Sequence, residues 1–489
     1  MKRLGMAMTG YIGTHEQAVL RSGGSSPTSP EDPQVGAGTA WRTIHRYGRV
    51  EILAEPAGRE AVPAPEALDP AHPPPDLSET ERLGLAALRL RQSEEYRATK
   101  SARPRDGEDW DMPGCTAVAP RPNDARTAMG GEPLSSYLEG RVGVGIIIVE
   151  GPGSELKFSD EERTKILAEV QEGLGWLARI APSGDISYSA DIQSVTLDVQ
   201  PDPLARDLEA RWRDPAMAAI GLGGVHDYAS SVRRWFKARW AYCAFFTKYP
   251  LWNFAYAYLG GPHLVMDYAL DNWGPDNMDR VFAHETGHIF NCPDEYAKSN
   301  CTCGGRWGRF DAPNGNCERC APGHGVPCLM KKNTPSLCDC TKSHIGWSVE
   351  TPLYARHSGR VLDVNAASRN NGASVVQWDW YSGDNQRWRL DTMGDGYVRA
   401  TAKHSDKVLD VKNDSGDNDA AVIQWSWHGG DNQRWRLDPT PEGSFRLVAK
   451  HSGKVLDIQG GSKDNGASAV QQDWRNDDSQ RWRIEGSGR

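Results

Sequence analysis

Gln386-Arg387-Trp388-Arg389 returns as Gln433-Arg434-Trp435-Arg436 and again as Gln480-Arg481-Trp482-Arg483, 47 residues apart each time. Leu362-Asp363, Leu409-Asp410 and Leu456-Asp457 keep the same period. Such a period marks one supersecondary unit repeated, with a core that the units bury only together. Each unit opens on a strand ending in Val-Leu-Asp and closes on Gln-Arg-Trp-Arg. Three short β-rich units predict an all-β trefoil over residues 351–489. The closing tryptophans and the leucines would fill its shared core. No cysteine falls in this region, so packing must carry its stability.

Ahead of the repeats the chain changes character. Val142 to Glu150 is a continuous apolar run suited to a buried strand. Ser159-Asp-Glu-Glu caps a helix running to about Ile180. Ser187–Val199, Trp240–Phe246 and Phe254–Leu259 read as further strands, with helices near 204–213 and 226–238. His263–Asp267 reads as an edge strand able to pair with an extended peptide. This alternation predicts an α/β domain over 139–350. Residues 1–138 are rich in Pro, Gly, Ala, Arg and Glu, with one amphipathic helix over 78–99. They read as a loosely ordered N-terminal extension or propeptide.

Within the α/β region stands His284-Glu285-Thr286-Gly287-His288, followed by Asn291-Cys292-Pro293-Asp294. Residues four apart share one helix face, so His284 and His288 can meet one metal ion. Glu285 is placed to act as general base on water held there. A catalytic zinc needs a third protein ligand and an open position. Asp294 supplies the ligand if the chain turns at Asn291, a residue that tolerates positive φ. Glu295 is the rival ligand. The plainer alternative for the two histidines is a helix surface without metal.

The formal net charge of −9 argues against a nucleic-acid partner held by bulk electrostatics. No apolar run is long enough to span a membrane. Of ten cysteines, eight lie between 292 and 340. They read as disulfide staples or, through Cys317-x-x-Cys320 with the 301/303 and 338/340 pairs, as a structural zinc site. Cys243, in an apolar run, reads as a buried thiol. Cys115 is a candidate latch on the catalytic metal, against a disulfide or an inert thiol.

At the His284–Tyr296 stretch the sequence resembles the metzincin metallopeptidases, and most closely the snapalysin-type variant with Asp as third ligand. Asn291 stands where that family has Gly. The resemblance implies a metzincin-like fold, Zn2+ held by His284, His288 and Asp294, and a methionine turn at Met330. It implies hydrolysis of a protein or glycoprotein substrate. The repeats resemble the ricin-type β-trefoil lectins. That resemblance implies carbohydrate sites at Asp363, Trp378, Asn385 and Gln386 and at Asp410, Trp425, Asn432 and Gln433. An aspartate there accepts from sugar hydroxyls, and a tryptophan stacks on the pyranose. In the third lobe Gln472 and Ser479 replace the stacking Trp and the Asn beside Asp457. Trp380, Trp427 and Trp474 recur in all three lobes and read as packing residues. The expectation is a multidomain zinc endopeptidase with a sugar-reading trefoil, exported by a bacterium although residues 1–13 make a poor signal peptide. The alternatives are a zinc amidase or glycan-processing hydrolase, and a catalytically silent lectin.

Overall fold

Arg141–Glu150 (β4) is buried from Val142 onward because it has a parallel neighbour on each side. The computed structural model describes residues 16–21, 41–55, 66–111, 133–182, 184–205, 207–310, 312–393, 396–440 and 444–484. These divide into two units. One lies within Met1–Cys301 and Asn316–Cys338, the other within Thr302–Gly315 and Asp339–Arg489.

The first unit is built on an eight-stranded sheet. Its strands are β1 (Glu16–Leu20), β2 (Arg42–Tyr47), β3 (Val50–Ala54), β4, β5 (Ser187–Thr196), β6 (Trp240–Thr247), β7 (Ala255–Ala257) and β8 (His263–Asp267). The order is β1-β3-β2-β5-β4-β6-β8-β7. Strands β2, β5, β4, β6 and β8 run parallel, and β7 turns back antiparallel onto β8. The helices are α1 (Glu79–Gln92), α2 (Glu94–Ser101), α3 (Asp160–Ile180), α4 (Ala210–Ala219), α5 (Val225–Trp235) and α6 (Met278–Ile289). Ser159 and Glu162 form a capping box at the start of α3, and Ser78 and Glu81 do so at α1.

Three expectations change here. The segment taken as a loose extension supplies β1–β3 to the main sheet, and Val50–Ala54 is buried throughout because both its neighbours are strands. The helix expected over 78–99 is two helices. Ser93 ends α1 in an extended conformation, and its side chain caps α2 through Tyr96 N–H. Finally, β8 is not an edge strand. It pairs with β6 on one side and β7 on the other, so no peptide can add to it. The edge position passes to β7, whose three residues are buried. Cys115 lies outside the described residues.

The second unit is the repeat. Its sheet of thirteen strands carries one hairpin per repeat: Val361–Val364 with Val375–Trp378, Val408–Val411 with Ala420–Trp425, and Val455–Ile458 with Ala469–Gln472. Trp388, Trp435 and Trp482 are fully buried in one core with Leu362, Leu409 and Leu456. Each indole N–H donates to the carbonyl of the leucine in its own repeat, at 3.0, 3.1 and 3.1 Å. One Trp–Leu pair thus builds each third of the core. The unit begins earlier than residue 351. Phe310 sits in the same core, and Ser348–Thr351 pairs with Trp388–Asp391.

Candidate metal centre and carbohydrate sites

α6 is buried along its whole length and sets His284 and His288 one turn apart. Their Nε2 atoms are 3.1 Å from each other. The helix ends at Phe290, and Asn291 takes the left-handed conformation, φ 71°. The short polar side chain makes that conformation accessible without glycine. The turn returns Asp294 to the histidines. Its Oδ1 lies 3.1 Å from His284 Nε2 and 3.2 Å from His288 Nε2. Glu295 turns away to Asn316 and Cys338. The structure therefore brings together His284, His288 and Asp294 and leaves the rival out.

The outer ring nitrogens decide the tautomers. His284 Nδ1 lies 3.0 Å from the Leu329 carbonyl oxygen, and His288 Nδ1 lies 2.6 Å from that of Cys292. A carbonyl only accepts, so each Nδ1 carries a proton and each Nε2 turns its remaining valence inward. Two such nitrogens and a carboxylate oxygen at these distances form a group able to hold a metal ion. Burial alone would lower His288, but the Asp294 carboxylate outweighs it and lifts the ring to about 9. Two imidazole nitrogens and one carboxylate oxygen are a donor set of catalytic zinc sites, and backbone carbonyls orienting the rings are the usual outer support. Tyr296 adds a hydrogen bond to Asp294.

Glu285 is buried beside this cluster. Burial raises its carboxyl pKa, Asp294 adds to the rise, and the two histidines oppose it. Met330 lies against the helix: a Cβ built on Gly287 would meet its Sδ at 2.9 Å. The neighbouring backbone holds both halves of the site. The Leu329 carbonyl accepts from His284, and the Met330 carbonyl accepts from Glu295 N–H at 2.9 Å.

Trp110 was not legible as part of this site. Its indole N–H donates to the Leu329 carbonyl at 2.5 Å, and its ring meets His284 edge-on at 5.4 Å between centroids. It comes from the segment read as an extension, in a stretch with no periodicity. The cysteines divide in two. Cys301 and Cys317 form a disulfide, and Cys303 and Cys320 are also disulfide-bonded. Of the two readings of this segment, the structure shows disulfides at Cys317 and Cys320, whose sulfurs lie close to that of Cys303. Cys243 is a buried thiol, and Cys292, Cys328, Cys338 and Cys340 are thiols too.

In the trefoil, the buried Asp363 and Asn385 meet, with Asn385 Nδ2 donating to Asp363 Oδ1 at 3.0 Å. Trp378, at the end of the paired strand opposite Val361, is 39% exposed. Tyr381, not among the expected residues, completes the group by accepting from Asn385 at 2.7 Å. In lobe two His428 occupies the same repeat position, 3.6 Å from Asp410, beside Asn432 and a Trp425 exposed to the same 39%. The repeat did carry a signal for this position. It reads Tyr381, His428 and Arg475, varying while its surroundings stay constant. In the third lobe the guanidinium of Arg475 donates to Asp457 at 2.7 Å.

The expected sugar residues also include Gln386 and Gln433. Both are fully buried. Gln386 accepts from Tyr381 N–H and donates to the Asp379 carbonyl, and Gln433 does the same with His428 and Ser426. They hold the loops that carry Tyr381 and His428, and Gln433 also donates to Asp410 Oδ2 at 2.8 Å. Trp380, Trp427 and Trp474 each lie under arginine side chains, at 5.2, 5.3 and 5.1 Å, as packing residues would.

A family model, the ricin-type beta-trefoil lectin domain, matches residues 349–482. Among solved structures, the designed threefold symmetric protein ThreeFoil is 49% identical over 28% of this chain and 96% of its own, with TM-score 0.28. The exo-β-1,3-galactanase 1,3Gal43A from Clostridium thermocellum is 31% identical over 28% of this chain and 30% of its own, with TM-score 0.28. The Macrolepiota procera ricin B-like lectin, solved with lactose, is 18% identical over 28% and 94%, with TM-score 0.25. No curated protein matches the chain. Residues 349–482 are a ricin-type β-trefoil lectin domain.

Proposed function

We propose that the first unit is a zinc-dependent endopeptidase and that the trefoil brings it to glycosylated proteins or polysaccharide surfaces. The observation that carries the reading is the convergence of His284 Nε2, His288 Nε2 and Asp294 Oδ1 with both Nδ1 atoms committed to carbonyls. These residues fit zinc and would hold it. When bound, zinc supplies a Lewis acid that lowers the pKa of a coordinated water and polarises the scissile carbonyl. The chain's own part in hydrolysis falls to Glu285, whose carboxylate takes the water proton and returns it to the leaving amine. Burial of the site keeps bulk water from competing for that proton. The disulfide at Cys301–Cys317 and the lectin domain support an extracellular setting.

Metal content and proteolysis of the full chain test this together. One zinc equivalent at the histidine site is expected, with casein cleavage that a chelator abolishes. Asp294→Ala should lose that equivalent. Zinc bound normally with no peptide bond cut across a broad panel would favour the amidase alternative. Normal zinc content in Asp294→Ala would sink the ligand assignment.

Sugar binding at lobe one should depend on pH. Burial pushes Asp363 up to about 6, against the hydrogen bonds from Gln386 and Asn385. Sugar hydroxyls donate to the carboxylate, so protonation removes their acceptor. Affinity is expected to be full well above that value and to fall as pH drops through it, roughly tenfold per unit below. Calorimetric titration of the Trp425→Ala chain with galactose isolates lobe one. A flat profile would show that Asp363 does not accept from the ligand.

A further inference from the structure

A second buried donor cluster lies next to the histidine site and has no part in the hydrolysis above. The Glu295 carboxylate, Cys328 Sγ and Cys338 Sγ lie within 4.8 Å of one another, and all three residues are buried. Cys338 Sγ is 3.0 Å from Glu295 Oε1, and Cys338 N–H donates to Cys328 Sγ at 3.4 Å. The carboxylate is aimed from behind. Asn316 Nδ2 donates to Glu295 Oε2 at 2.6 Å. That amide is itself fixed at both ends by Val326, whose N–H donates to Oδ1 at 2.7 Å and whose carbonyl accepts from Nδ2 at 3.0 Å. An oriented carboxylate facing two sulfurs, with its own outer support, is the construction of a metal site.

We propose that Glu295, Cys328 and Cys338 bind a second, structural zinc ion. Two soft sulfurs with one carboxylate oxygen suit zinc and do not suit magnesium or calcium, which take oxygen. Binding forms two zinc–sulfur bonds and one zinc–oxygen bond, with water in the fourth tetrahedral position, and releases the two thiol protons to solvent. The position gives the ion a role. Glu295 directly follows Asp294, and Cys328 stands two residues before Met330. An ion here ties the acidic turn to the turn beneath α6, the two backbone segments joined by the Glu295 N–H to Met330 carbonyl bond. It would hold Asp294 in register from outside the hydrolytic site.

Cobalt(II) reports the site independently of activity. The full chain produced with cobalt in place of zinc should show a thiolate-to-cobalt charge-transfer absorption, which a site of two histidines and an aspartate cannot give. The band and one metal equivalent should persist in His284→Ala/His288→Ala and disappear in Cys328→Ser and in Cys338→Ser. Glu295→Gln, which keeps an acceptor for Asn316, should weaken metal affinity at least about tenfold. The proposal is overturned if the wild-type chain lacks the band, if the band survives both cysteine variants, or if native-protein mass mapping finds Cys328 and Cys338 joined as a disulfide. Failure of the peptidase reading looks different: the band stays, while the metal equivalent assigned to the histidines or the proteolysis is missing.

Discussion

Glu285→Gln is expected to lower kcat for peptide hydrolysis by roughly 10²–10⁴-fold, the usual contribution of a positioned general base. Metal content should not change. Glu285 donates no atom to the His284–His288–Asp294 cluster, and glutamine fills nearly the same buried volume. The fold should hold as well, since an amide is easier to bury than a carboxylate. KM should move little, because the carboxylate acts on the proton in transit and not on the bound peptide. Single-turnover proteolysis with parallel metal analysis checks this. Undiminished hydrolysis by a zinc-replete Glu285→Gln chain would remove Glu285 from the mechanism. A variant that loses its metal would show instead that Glu285 supports the site.

The parts of the molecule legible from sequence are those where a residue type and a spacing act together. The 47-residue period announced the trefoil, because each Gln-Arg-Trp and each Val-Leu-Asp had to occupy equivalent places in one core. The His284–Asp294 stretch announced its own geometry for the same reason. Four residues make one helical turn, and Asn291 can take the positive φ that brings Asp294 back. The remainder depended on contacts between segments remote in sequence. Trp110 reaches His284 through the Leu329 carbonyl, 219 residues along the chain from its own position. Arg475 engages Asp457 only because the fold lays one across the other in space. Proline-rich composition at the N-terminus concealed three strands, although the helical stretch at 78–99 was legible apart from its break at Ser93, since composition averages over the short stretches that carry the apolar pattern.

The N-terminal helices are expected to be indispensable, and Lys100→Met should show it by destabilising the chain by about 3–5 kcal/mol. Lys100 is wholly buried. Its ammonium donates to Glu169 on α3 at 2.5 Å, to Asp279 on α6 at 3.1 Å and to the Asp276 carbonyl at 2.6 Å. Arg103 clamps the same Asp279 with two bonds of 2.6 Å. Methionine keeps the apolar stem and removes only the charge, which leaves Glu169 and Asp279 facing each other in a low-dielectric interior with one cation fewer. That loss of a partner, rather than the net worth of the ion pairs, sets the size of the effect. Asp279 lies in the first turn of the helix that carries both histidines, so the network fixes the metal site from the end opposite to its ligands. Urea unfolding measures the loss, and the double variant Lys100→Met/Glu169→Gln should recover part of it, by neutralising the carboxylate that loses its 2.5 Å partner while keeping an acceptor for Asp279 N–H. If Lys100→Met costs less than about 1 kcal/mol, residues 79–103 are an appendage after all, and a removable N-terminal segment becomes the better description of this part of the chain.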